Sequence, residues 1–130
     1  MIELNYVAIG VATVAVFIFA AIYYSVIAPQ RAEVSSVAAA GVSPSPVVMA
    51  FELVKSAVVA LVVAALARLT GTAGAAEAVL LGVALWIAFP VVLLLGSVVH
   101  EGVAPKLAAI HAGDWLVKLL VIAVITTVWR

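Results

Sequence analysis

From Leu4 to Gln30, and again from Ala78 to His100, the chain carries no charged residue. These runs of 27 and 23 residues each exceed the roughly 20 residues a helix needs to cross a bilayer core about 30 Å thick. Their length makes lipid the solvent in which this chain folds. The same runs hold no acid, base, nucleophile or ligand cluster, so they speak to location far more than to chemistry.

Composition closes the soluble alternative. Soluble domains average about 25% charged and 45–50% apolar residues, whereas here charged residues are 9% and apolar ones 68%, with a mean hydropathy of +1.41. Six acids and six bases cannot clothe a soluble globule of this size. The net charge of zero offers nothing to nucleic acid or to an acidic partner. With no cysteine, disulfides, thiolate chemistry and sulfur-ligated metals are removed together. The first apolar run is a retained helix rather than a signal peptide. Glu3 stands where a positive n-region belongs, and the core is longer than the 7–15 residues of an h-region. The small residues Ser36–Ala40 lie too far downstream to serve as its cleavage site.

The expected fold is one all-α membrane domain, with four transmembrane helices in an antiparallel bundle over about 4–27, 46–69, 75–99 and 111–130. Tyr6 and Tyr23-Tyr24 sit where interfacial aromatics belong, and Pro29 stops the first helix. Residues 28–45 form a connector rich in Ser, Gly and Pro, with room for a short surface helix over 32–40. Pro46 opens the second helix, and Thr70–Gly74 is a tight turn that makes helices two and three antiparallel neighbours. Pro90 predicts a kink in helix three with the Trp86 carbonyl left free. The fourth segment must begin near His111 and carry Asp114 and Lys118 with it, bracketed by Trp115 and Trp129. Four spans put both termini on one side. The bases Arg31, Lys55, Lys106 and Lys118 gather toward the other side, against Arg68 and Arg130, so the positive-inside rule leans toward termini outside and the two longer loops in the cytoplasm.

Charges inside the slab are the candidate sites. Glu52 and Lys55 lie about 9 and 13 Å into helix two at 1.5 Å per residue, where an ionisable residue costs about 2.5–3.5 kcal/mol to insert. They are read either as a proton- or cation-binding carboxylate with its modulator, or as an (i, i+3) pair reaching back to the headgroups. The small residues Ala57, Ala60, Ala64 and Ala67 form a packing stripe on that helix. Lys55 points about 150° away from it by helical geometry, on the face of Val59, Val62 and Leu66, which favours the second reading. Asp114 and Lys118 form an (i, i+4) pair with the acid first, joined on one face by His111. That patch suits a headgroup, a proton shuttle or a solvated helix start. His100 and Glu101 end helix three beside the same loop. The two histidines and two carboxylates match no compact ligand spacing, so no metal or cofactor is expected. In helix three, Gly82, Trp86, Phe89, Leu93 and Gly96 fall within about 80° of arc and form either a helix-packing stripe or one wall of a cavity.

Tyr23-Tyr24-Ser25, then Gly82-x-x-x-Trp86-Ile87-Ala88-Phe89, then Ala112-Gly113-Asp114-Trp115 before a helix ending in Trp129 resemble, in that order, the small four-helix bacterial membrane proteins of the domain of unknown function 1761 family. Tyr23 stands where a tryptophan is common there, and the first loop is unusually rich in alanine. The resemblance implies an integral membrane protein with both termini on one side. It implies no activity and carries over no functional residue.

The expected role is that of a small polytopic protein of the bacterial inner membrane, non-enzymatic, self-associated or an accessory subunit of a membrane complex, with the lipid bilayer as its other partner. Four thin helices leave too little interior for a private pathway. The alternative is a transporter or channel for a small or lipophilic solute, assembled across subunits. Small multidrug exporters, similar in size, place an essential carboxylate in the first helix. Here that helix offers only Thr13, which leaves Glu52 as the substitute. A lipid-modifying enzyme at the rim, using His100, Glu101, His111 and Asp114, lacks a nameable nucleophile and base.

Overall fold

The computed structural model describes residues 2–41 and 43–130, and every regular element among them is helical. α1 (Tyr6–Val26) is opened by Asn5, whose side chain accepts the Ala8 N–H at 3.0 Å, the expected way to satisfy a first-turn donor. It ends just before Pro29. The connector then makes two short helical turns, α2 (Ala28–Ala32) and α3 (Ser36–Ala39), in place of a single surface helix. Val42 of the connector lies outside the described residues. α4 (Pro46–Leu69) starts with Pro46 in its first turn and Ser45 capping the Val48 N–H. The turn that follows needs the left-handed conformation at Gly71, where φ is +68° and a side chain would be strained.

The third span is α5 (Gly74–Trp86), a π-helical turn at Ile87–Val91 and α6 (Val92–Glu101). In the π register a carbonyl faces the N–H five residues on. The Trp86 carbonyl is therefore set opposite Val91 rather than the nitrogen of Pro90, so the loss expected from the proline is absorbed by the turn. Gly102, at φ +68°, closes α6 as a left-handed cap. α7 (Pro105–Val128) follows. It begins six residues before His111, because Pro105 fits a first helical turn and only three residues separate it from the end of α6.

All four spans are long and apolar enough to cross a membrane. α1, α4 and α7 each pack on the other two, while α5–α6 packs on α7 and on neither α1 nor α4 to a comparable extent. The core among the first three is small and aliphatic: Ala12, Val16, Ala60, Ala64, Ile122 and Ala123. α1 and α7 are antiparallel, since Asn5 reaches the Trp129 carbonyl at one end and Tyr23 the Ile110 carbonyl at the other. Arg130 donates to the Thr72 carbonyl, which brings the α4–α5 turn to the Asn5 end. Lys106 pairs with Glu33 across the two connectors at the opposite end.

The packing stripes correct the sequence reading in part. Ala60, Ala64 and Ala67 are buried, but Ala57 is only half-buried, and Ser56 and Val63 take its place. On the third span Gly82 is buried so closely that a Cβ there would lie 3.1 Å from Leu120 Cδ2 and 3.3 Å from the Leu119 carbonyl. Beyond Trp86 the predicted stripe turns outward: Phe89 is 59% and Leu93 70% exposed, and a Cβ on the half-buried Gly96 would meet no atom within 4 Å. The π turn accommodates one more residue than an α turn, so the inward face moves on by one, to the half-buried Pro90, Leu94 and Ser97.

Candidate functional site

The polar groups that enter the slab gather on the stretch Ile110–Lys118 of α7. Asp114 and Lys118 are 3% and 4% exposed, and Lys118 Nζ lies 2.9 Å from Asp114 Oδ2. The same oxygen accepts the Tyr24 hydroxyl at 3.0 Å. Tyr24 Oη also lies 2.9 Å from His111 Nδ1. A hydroxyl has one proton, and a bond to a carboxylate is the stronger use of it. Tyr24 therefore donates to Asp114, and His111 donates Nδ1–H to the Tyr24 oxygen. Tyr24 and Lys118 both donate to Asp114 Oδ2, while Asp114 Oδ1 is buried and has no partner among the described residues.

Helical geometry explains why these groups meet. His111, Asp114 and Lys118 are spaced three and four apart, on one face. Tyr24, in the last turn of α1, stands opposite them in the antiparallel pair. Lys118 is the fourteenth of the 24 residues of α7, about 20 Å along it at 1.5 Å per residue. Its backbone is therefore near mid-span, deeper than a helix starting at His111 would place it. Its side chain leans back toward Asp114, as helical side chains do. Lone charges at that depth are costly; here each offsets the other.

The backbone beside Asp114 is gripped from α1 and from α5. Tyr23 donates to the Ile110 carbonyl at 2.7 Å and Trp86 Nε1 to the Ala112 carbonyl at 2.8 Å. Gly113 makes the first approach possible, because a Cβ there would lie 2.9 Å from the Tyr23 hydroxyl.

Glu52 and Lys55 form a pair of their own, with Nζ at 2.9 and 2.8 Å from the two carboxylate oxygens. Lys55 does not stand on a lipid face away from its neighbours. Its Nζ lies 5.8 Å from the Trp115 ring centroid, on which Lys118 also sits at 5.3 Å. Because α7 packs beside that flank of α4, a residue well off the alanine stripe still reaches a protein neighbour. The crevice between Lys55, Val59, Trp115 and Lys118 has essentially no free volume for a water molecule. His100 and Glu101 are exposed at the end of α6 and make no side-chain hydrogen bond or ion pair among the described residues. The structure thus joins His111 to Asp114 and Lys118 but leaves His100 and Glu101 outside. No three His, Asp or Glu side chains among the described residues gather as a metal site would.

Two participants were not singled out from the sequence as site residues. Tyr24 reads as an interfacial anchor, and Arg31 as a loop charge. Arg31 stacks over the Tyr24 ring at 4.9 Å and buries its Nε without an acceptor among the described residues. The signal for Tyr24 was the carboxylate itself, which at that depth needs a donor from a facing helix.

An all-α chain with four such spans and its charges paired in the interior is a multi-pass integral membrane protein. It belongs to the family described as Protein of unknown function (DUF1761), whose model matches residues 7–127. Neither a curated protein nor a solved structure matches the chain. The three segments that carry the resemblance, around Tyr23-Tyr24, Gly82–Trp86 and Ala112–Trp115, are distant in sequence and meet at this one place on α7.

Proposed function

We propose that the protein is a non-enzymatic component of an assembly in the bacterial inner membrane, formed chiefly by copies of itself, with α5–α6 as the assembling helix. The observation that carries this reading is the position of α5–α6, which packs on α7 and leaves Phe89, Leu93 and Gly96 outward. Lipid tails cover large apolar side chains as well as protein does, so association between spans relies on close packing at small residues. Gly96, with Leu93 and Phe89 preceding it on the same face, offers such a place to a second copy. The Arg31 end, which carries more bases than the other, faces the cytoplasm on this reading.

Coupled transport based on Glu52 has less support, because Lys55 neutralises that carboxylate and the adjoining crevice is dry. Enzymatic turnover at the rim has less still, since His100 and Glu101 stand apart from His111 and Asp114.

The chain's lack of cysteine makes the test simple. Gly96→Cys should give a disulfide-linked dimer in native membranes, and Val14→Cys on the outer face of α1 should not. Native mass spectrometry of the untreated protein should find the same multimer. A monomer by mass, with no crosslink at position 96, would refute the reading. A stable complex with a different protein would replace self-association with an accessory role.

A further inference from the structure

We infer that Arg31 and His111, held by Tyr24, form a binding site for a phosphate-type oxyanion at the membrane rim. The argument starts from the charges at that end. Lys55 is paired with Glu52, Lys106 with Glu33 and Lys118 with Asp114. Arg31 has no carboxylate within ion-pairing distance among the described residues. It is not a free surface side chain either. Its guanidinium is fixed over the Tyr24 ring at 4.9 Å, with Nε buried, so the ordering that an arginine normally loses entropy to achieve is already in place.

His111 adds a second group. Its Nδ1 is committed to Tyr24, and its Nε2 makes no hydrogen bond among the described residues. Asp114, the one acid in contact with this group among the described residues, already holds Lys118 and Tyr24 and lies outside ion-pairing distance of Arg31. What remains is a planar guanidinium over the Tyr24 ring and an imidazole at the Tyr24 hydroxyl, both half-buried. They stand at the point where α1 ends and the connector begins. Arg31 lies just past the end of the first apolar span, where the hydrocarbon core gives way to headgroups, and a phosphate oxyanion is the ligand whose geometry a guanidinium fork fits. The phosphodiester of an anionic lipid and a free phosphate share this chemistry.

The test places the full chain in nanodiscs of phosphatidylcholine, with or without phosphatidylglycerol, and follows the Arg31 Nε–H resonance, assigned by its loss in Arg31→Lys. Phosphatidylglycerol should shift that resonance saturably. Arg31→Gln should lower the phosphatidylglycerol retained through detergent purification by about fivefold or more, the order expected for losing a charge-assisted bidentate contact. Arg31→Lys, which keeps the charge and should fold normally, should lose most of the retention too. Lys106→Gln, at the same rim, should retain lipid as the parent does. Inorganic phosphate added to phosphatidylcholine discs distinguishes the sources, because a shift there without a lipid effect makes the ligand a soluble phosphate. No shift with either probe, or equal losses from Arg31→Gln and Lys106→Gln, would overturn the inference.

Discussion

Asp114 and Lys118 belong to one helix, and that decides what their removal should cost. Membrane helices persist when they separate from one another, so the pair's mutual attraction is present in both the assembled and the separated states. What changes on assembly is confinement. In a lone α7, an unpaired Lys118 snorkels toward the headgroups; in the assembled chain it is held 4% exposed, with Asp114 as its one oxygen partner among the described residues. Asp114→Asn should therefore cost about 3–5 kcal/mol, the range for stranding a buried charge. Lys118→Met should cost less, about 1–2 kcal/mol, because a hydrogen bond to a charged group, here from Tyr24, still serves the carboxylate. The double variant, with no charge left to strand, should fall within about 1 kcal/mol of the parent. Reversible unfolding in mixed dodecylmaltoside–SDS micelles, followed by tryptophan fluorescence, measures all three. If Asp114→Asn costs under about 1 kcal/mol, or the double variant is as damaged as Asp114→Asn, confinement of a lone lysine is not what the pair prevents.

Gly113→Ala should lower stability by about 1–2 kcal/mol by pushing the Tyr23 hydroxyl off the Ile110 carbonyl, and the penalty should shrink in a Tyr23→Phe background. Failure of that rescue in the same unfolding assay would dissociate the glycine from the tyrosine. Gly82→Leu should detach α5–α6 from α7, because even a Cβ meets Leu120 and the Leu119 carbonyl, while Gly10→Ala, at an exposed position of α1 with open space for a Cβ, should stay within about 0.5 kcal/mol of the parent. The indole N–H resonance of Trp86, which donates to the Ala112 carbonyl on α7, reports the first, and the unfolding midpoint reports the second. Trp86→Phe should cost about 0.5–1.5 kcal/mol through the lost bond to the Ala112 carbonyl, and amide exchange in the 112–118 stretch should quicken.

The sequence reading was good where one residue acts through its own backbone. Pro29, Pro46 and the Thr70–Gly74 turn mark helix ends by local geometry, and the charge-free runs mark the first and third spans by length. It was weaker wherever the answer depended on a neighbour. Spacing alone puts the start of the fourth helix near His111, because Lys106, His111, Asp114 and Lys118 look like a solvated approach; the helix begins at Pro105, with Asp114 and Lys118 neutralising each other inside it. Phe89 and Gly96 were assigned inward because a uniform period of 3.6 was carried through Pro90, whereas the π turn moved every later residue on by one place. Lys55 reads as the (i, i+3) partner of Glu52 reaching toward the headgroups, and that pair forms, but the alanine stripe on its own helix gives no sign that Trp115 stands on that flank. The polar cluster was legible by halves. The face His111–Asp114–Lys118 follows from spacing alone, but Tyr24 and Arg31 join it only through the antiparallel register of α1 and α7.

The dependence of α5–α6 on α7 also bears on how the chain is made. Spans enter the membrane in the order of the chain, and the helix on which the other three converge is the latest of the four. Until α7 arrives, α1 and α4 hold only each other, and the third span waits in lipid without a partner of its own. α7 is also the least hydrophobic of the four, and its acid and base arrive one helical turn apart, ready to cancel as they partition. A ribosome stalled before Pro105 would therefore display an α1–α4 pair and a loose third helix, open to membrane quality control until synthesis resumes.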